Sequence, residues 1–326
     1  MRILVTGGAG YIGSVTASKL MEHGHDVIVL DNLSRGHREA VPAGCPLEVC
    51  DTRDRAAVAD LLHRHRIACV MHFAASSLVG ESMQRPREYF DANAGGMLSL
   101  LGAMETSGVE RIVLSSTAAV YGQPDDVPIP EAARTAPTNP YGHSKLMCEG
   151  MMHWQAQAGR LRYVSLRYFN AAGASEAHGE DHEPETHLIP IALQVALGKR
   201  PELVVYGDDY PTSDGTCIRD YIHVEDLADA HILALDRLEA EAETVVNLGN
   251  GKGFSVQEVL QTARKVSGHS IPARVGSRRP GDPPILVASS ARARELLGWR
   301  PTRGDLETIV ESAWKWMGGH PDGYAG

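Results

Sequence analysis

The chain has 326 residues, 43% of them hydrophobic and 22% charged, with a formal net charge of −10. This is the composition of a globular protein rather than a disordered or fibrous one. The acidic balance argues against non-specific nucleic-acid binding, which needs a basic face. No apolar run approaches bilayer length, and no charged-then-apolar leader opens the chain. The five cysteines (45, 50, 69, 148, 217) contain no CxxC pair. A cytoplasmic protein with free thiols is expected, without a disulfide framework, zinc ribbon, membrane span or nucleic-acid partner.

In chain order, RILVTG (2–7), DVIVLD (26–31), PLEVCD (46–51), ACVMHFAA (68–75), RIVLSST (111–117) and RYVSLRYFN (162–170) are apolar on both faces, as buried parallel strands are. Helical periodicity occupies the intervals 12–23, 54–66, 86–107 and 141–158. The alternation predicts an α/β fold of Rossmann type, a doubly wound parallel sheet with helices on both sides. After about residue 171 the pattern loosens into loops. HVEDLADAHILALDRL and TVVNLGNG then supply one more helix and strand that could rejoin the sheet. The expected organisation is a dinucleotide-binding domain over 1–170, rejoined by about 218–250, and a smaller C-terminal α/β substrate lobe over 171–326.

TGGAGYIG (6–13) follows the first strand and opens a helix. Glycines 7, 10 and 13 allow a tight turn and a close approach of backbone to a pyrophosphate, whose charge the helix N-terminus favours. Asp31 closes the second strand, where a carboxylate accepts both adenosine ribose hydroxyls and repels a 2′-phosphate. NAD is therefore expected ahead of NADP, although Arg35 is near enough to assist a 2′-phosphate if its loop folds back. Asp51, after the third strand, is a candidate for the adenine amino group or equally for the N-cap of the next helix.

YGHSK (141–145) places Tyr141 and Lys145 four residues apart, on one face of a helix that begins after NP. Beside a nicotinamide this pair acquires a task. A phenol of pKa about 10 is a poor base near neutrality, and a neighbouring ammonium stabilises its phenolate. A hydroxyl from SST (115–117) completes a proton-transfer site. HGEDHEPETH (178–187) carries His178, His182 and His187 among four acids without strict ligand spacing. It is expected to form a solvated acidic lid over the substrate pocket, with no metal bound.

TGGAGYIG, SSTAAVYG, YGHSK and LRYFN together resemble the extended short-chain dehydrogenase/reductase family. YGDDYPTSDGTCIRDYIHVEDLA (206–228) and RRPGD (278–282) resemble, within it, the 4-epimerases that act on UDP-glucose and UDP-galactose. The similarity runs from Met1 to about residue 316. It implies reversible C4 epimerisation through a transient 4-keto sugar, with hydride stored on tightly bound NAD. Tyr141 would be the base, Lys145 its electrostatic partner, and Thr117 the hydroxyl facing the C4 oxygen, where many members carry serine.

By the same resemblance NAD would meet Gly7, Gly10, Tyr11, Ile12, Gly13, Asp31, Asn32, Ser34, Asp51, Thr52, Phe73, Ala74, Ala75, Ser115, Tyr141, Lys145 and Tyr168. The UDP-sugar would meet Ser76, Thr117, Tyr141, Asn170, His187, Leu188, Val204, Tyr206, Arg219, Tyr221, Arg279, Asp282 and Leu286. Arg219 and Arg279 would hold the diphosphate and Asp282 the uridine ribose. Some members have lysine at the Ser77 position and asparagine at the Ala92 position, and both departures bear on NAD retention. Leu286 borders the sugar pocket at a position where members differ. UDP-glucose and UDP-galactose are expected ahead of UDP-N-acetylglucosamine, UDP-glucuronate or a UDP-pentose. Dehydratases carry an Asp-Glu pair where Ala118 and Ala119 stand, so elimination is not expected, and a non-catalytic NAD sensor would not need the intact Thr117, Tyr141 and Lys145. The resemblance also implies a homodimer through helices 86–107 and 141–158.

Overall fold

The computed structural model describes residues 1–279 and 282–325, so Pro280 and Gly281 of the RRPGD stretch lie outside the described residues. The first half builds strands β1 (Arg2–Thr6), β2 (Asp26–Asp31), β3 (Leu47–Val49), β4 (Cys69–His72), β5 (Arg111–Thr117) and β6 (Arg162–Tyr168). The helices between them are α1 (Tyr11–Glu22), α2 (Arg55–Arg64), α3 (Val79–Gln84), α4 (Pro86–Tyr89), α5 (Gly96–Ser107) and α6 (Pro140–Gln157). The rest of the chain adds β7 (Asn170–Ala172), α7 (Leu188–Ala196), β8 (Leu203–Tyr206), β9 (Ile218–His223), α8 (Val224–Ala240) and β10 (Glu243–Leu248). It ends with β11 (Gly253–Ser255), α9 (Val256–Ser267), β12 (Ala273–Gly276), β13 (Ile285–Leu286), α10 (Ala291–Leu297) and α11 (Leu306–Gly319).

Seven strands form one parallel sheet in the order β10-β6-β5-β4-β1-β2-β3. This is the doubly wound α/β fold expected from the strand runs. Side chains alternate across it with period two. Ile3, Val5, Val27 and Val29 pack with α1 and α8 on one face, while Leu4, Ile28 and Leu30 pack with α2, α5 and α6 on the other. A smaller core of Ile189, Leu193, Leu203, Tyr221, Leu260 and Ile309 holds α7, α9 and α11 against the short strands of the second half.

One predicted helix is broken. The interval 86–107 forms α4, then a π-helical turn over Phe90–Gly95, then α5. Aspartate, asparagine and two glycines in DANAGG favour helix weakly, and the wider turn carries Asn93 into the interior. The interface of α6 and β6 buries an ion pair: Arg167 Nε lies 3.0 Å from Glu149 Oε1, with both side chains under a tenth exposed. Glu149→Gln strands the Arg167 guanidinium, and chemical denaturation should record a loss of about 3–5 kcal/mol.

Candidate active site

The order of the sheet reverses between β1 and β4, which opens a crevice beyond their carboxyl ends. The glycine turn lies there. Gly7 has φ +73°, and a Cβ on it would sit 2.5 Å from the Ala74 amide nitrogen. A Cβ on Gly13 would fall 2.2 Å from the Gly7 carbonyl oxygen. Gly10 is the extended N-cap of α1 and offers no side-chain cap, so the first-turn amides of Tyr11, Ile12 and Gly13 keep their donors for an outside acceptor. These groups fit a dinucleotide pyrophosphate.

Asp31, at the end of β2, accepts hydrogen bonds from the Ala9 amide (3.1 Å) and the Leu33 amide (2.9 Å), and burial raises its pKa. Arg35 does not turn towards a 2′-phosphate. Its guanidinium donates to the Glu183 carbonyl and to the Glu81 carboxylate at 3.1 Å. His37 completes a second tie, with Nε2 2.9 Å from the Asp181 carbonyl oxygen. Asp51 does not cap α2. That role falls to Asp54, which accepts from the Ala57 amide at 3.1 Å. Asp51 instead takes hydrogen bonds from Arg53 and from Asn32 Nδ2 (2.9 Å), and the Arg53 guanidinium holds its carboxyl well below the usual range. Ser34 bonds Asn32 Oδ1 at 2.6 Å, which shapes the same loop.

At the other end of the cleft α6 begins on Asn139, whose Oδ1 accepts from the Gly142 amide at 2.8 Å, with Pro140 in the first turn. Tyr141 and Lys145 follow on its inner face. The Thr117 hydroxyl lies against the Tyr141 phenol and eases its ionisation, but burial outweighs it and raises the phenol's pKa. Burial lowers that of Lys145. Lys145 Nζ donates to the Ser115 carbonyl at 2.9 Å. Thr117 is thus the hydroxyl set against the phenol, while Lys145, one turn along the same helix, anchors its ammonium on β5. The Ser115 and Tyr168 hydroxyls bond one another, and Phe73 stands beside His231 with ring centroids 4.6 Å apart.

The same cleft, about 1710 Å³, continues into the second half of the chain. That exceeds the roughly 300–1,000 Å³ of a drug-sized site and leaves room for two nucleotides. Every cofactor and substrate candidate named from the sequence lines it. Arg219 lies 3.1 Å from Asp282, and Arg279 stacks over the Tyr206 ring at 4.1 Å. Asn170 Nδ2 donates to the Asp220 carbonyl at 3.1 Å, which aligns β7 with β9. Leu286 on β13 pairs with Arg219 and packs towards Val120 and Tyr121. Val204, Leu188 and Tyr221 complete this wall. Ala118 and Ala119 line the cleft beside Thr117. The 178–187 lid is not uniformly solvated: His178 is buried, and so is the carboxylate of Glu185.

A family model described as the NAD dependent epimerase/dehydratase family matches residues 3–249. The chain belongs to this family. It is 53% identical over 327 residues to a UDP-glucose 4-epimerase of Lacticaseibacillus casei, covering 99% of each chain. Among solved structures, UDP-glucose 4-epimerase from Brucella ovis in complex with NAD is similar with TM-score 0.95 and 46% identity, covering 97% of this chain and 98% of that one. The Bifidobacterium longum enzyme in complex with NAD+ and UDP gives 0.94 and 38%, covering 99% and 100%.

One residue of this family member escaped the sequence reading. Asn93, carried inward by the π turn, accepts from the Ser76 amide (2.8 Å) and donates to the Ser76 carbonyl (3.0 Å) and the Ser144 hydroxyl (2.9 Å). It clamps the loop after β4 to the helix that bears Tyr141 and Lys145. The available signal was an asparagine followed by two glycines inside a helical interval. Asn93→Ala leaves those buried groups without partners, at about 1–3 kcal/mol each. Urea unfolding should register the loss, and kcat should fall while Asn93→Asp, which keeps the acceptor, falls less.

Proposed function

We infer that the protein interconverts UDP-glucose and UDP-galactose by inverting the hexose at C4. The observation that supports this most is the meeting, at one end of a two-nucleotide cleft, of Thr117, Tyr141 and Lys145 with no proton-transferring side chain at Ala118 or Ala119. Tyr141 takes the proton of the C4 hydroxyl and returns it after the sugar has turned. Thr117 holds the C4 oxygen in line with the phenol, and Lys145, buried under α6, keeps positive charge close to the ionising group. Bound NAD supplies the acceptor that takes hydride from C4 and gives it back, so no net reduced cofactor accumulates. Burial disfavours both the phenolate and the ammonium, so the two charges form most readily together.

The nucleotide must stay fixed while the sugar rotates. Arg219 and Arg279 grip the diphosphate, since guanidinium forks match phosphate oxygens, and Asp282 takes the uridine ribose. Arg219 is aimed by Asp282 and Arg279 by the Tyr206 ring, so neither side chain has to be ordered from a free state. Leu286, held against Val120 and Tyr121, bounds the space where the hexose turns.

The protein works as a homodimer in the cytoplasm. Leu98 on α5 and Met147 and Trp154 on α6 are 65%, 43% and 72% exposed, an apolar face on helices that pack together. Among the described residues no helix is long and apolar enough to cross a membrane, and all five cysteines are free.

Incubation of the purified protein with UDP-galactose and no added NAD should yield UDP-glucose; a 4-keto-6-deoxy product would mean dehydration instead. Tyr141→Phe should slow the conversion by about 10²–10⁴-fold with NAD still bound, and near-normal turnover would remove Tyr141 from the role of base. Trp154→Glu should convert the dimer to monomer by light scattering, with the fold intact by circular dichroism.

A further inference from the structure

The segment between β7 and α7 gathers four side chains into one knot. Ligand-type atoms of Glu180, His182, Glu185 and His187 all lie within 4.8 Å of one another. His187 Nδ1 is 2.8 Å from Oε1 of both Glu180 and Glu185, and His182 Nδ1 is 3.2 Å from Glu180 Oε1. The two carboxylates are nearly sealed, with side chains 8% and 3% exposed, whereas His182 and His187 reach the cleft.

Glu180 and Glu185 converge on one imidazole atom; Glu185 Oε1 also accepts from the Thr186 and His187 amides at 2.7 Å each, and two shielded carboxylates so close together repel each other. A dication between them balances both charges. Ligand atoms around tetrahedral zinc stand roughly 3.3–3.5 Å apart, for metal–ligand bonds of about 2.0–2.2 Å. The three short separations, 3.2, 2.8 and 2.8 Å, lie inside this spacing, and no pair of the four atoms exceeds 4.8 Å. Two imidazoles with two carboxylates suit zinc, whereas magnesium and calcium prefer oxygen alone.

We propose that Glu180, His182, Glu185 and His187 bind one zinc-class divalent cation. Its consequence is local. The pinned loop is the one whose Asp181 and Glu183 carbonyls receive His37 and Arg35, so the ion fixes a wall of the cleft tied to the loop after β2. His187 is also a candidate UDP-sugar contact in the same cleft, so the test reads ion binding directly and not turnover.

The test uses untagged full-length protein, stripped with chelator and titrated with Zn²⁺ by calorimetry and with Co²⁺ by visible absorption. Wild type should bind one equivalent, with the intense visible bands of four-coordinate cobalt. His182→Ala and Glu185→Gln should weaken binding by at least the roughly 10–100-fold that loss of a mere supporting partner costs. His178→Ala, which lies outside the knot, should bind as wild type does. Zn²⁺ should raise the unfolding temperature of wild type and not of His182→Ala, which keeps the test decisive if Glu185→Gln folds poorly. Failure of wild type to bind, or equal binding by wild type and His182→Ala, would reduce the knot to a set of ion pairs and overturn the proposal. Preference for Mg²⁺ over Zn²⁺ would overturn the assignment of the metal class.

Discussion

The site depends on a contact in which two stretches of backbone touch with no side chain between them. At Gly7 the turn after β1 presses on the Phe73–Ala74 peptide so closely that even a methyl group is excluded. That pressure sets the height of the loop after β4. Two residues on, the loop is held by Asn93 through both backbone groups of Ser76, and Asn93 reaches Ser144, the neighbour of Lys145. The glycine turn and the Tyr141–Lys145 pair are thus joined by a short run of packed and hydrogen-bonded groups. A dense interior of this kind transmits small displacements rather than absorbing them.

Much of the fold was legible because buried parallel strands write themselves as runs of Val, Ile and Leu. Six such runs matched strands, and the glycine turn and YGHSK stood in their expected places at strand and helix ends. Other features were hidden for physical reasons. The π turn at Phe90–Gly95 depends on a tertiary partner, Ser76, far away in sequence. The strands β8, β11, β12 and β13 have two to four residues, too few for a period to emerge. Asp51 and Asp54 both satisfy the capping rule, and only the turn between them decides which carboxylate meets the helix. The grouping of Glu180, His182, Glu185 and His187 follows the folding of a loop, which fixed ligand spacings do not anticipate.

Charge also reads differently at the two scales. The chain is acidic overall, yet the part of the cleft built by the second half of the chain presents Arg219 and Arg279, one oriented by a carboxylate and the other by an aromatic face. A net charge describes solubility and long-range encounter; the capture of an anion depends on a few guanidinium groups whose geometry is fixed before the ligand arrives. Burial works in the opposite sense at Tyr141 and Lys145, where both groups are pushed towards neutrality. The two ends of the cleft therefore differ in kind: at one, guanidinium charges are held in place by partners, and at the other, burial works against charge.

The last strand of the main sheet, β10, pairs with β6 only after the chain has made the excursion through β7, α7, β8, β9 and α8. During synthesis on the ribosome the flank of β6 is therefore left open until residues near 248 have emerged, an interval on the order of seconds. An open parallel edge is an invitation to mispairing. Fragments ending before β10 would carry β6 as an uncovered edge of the sheet.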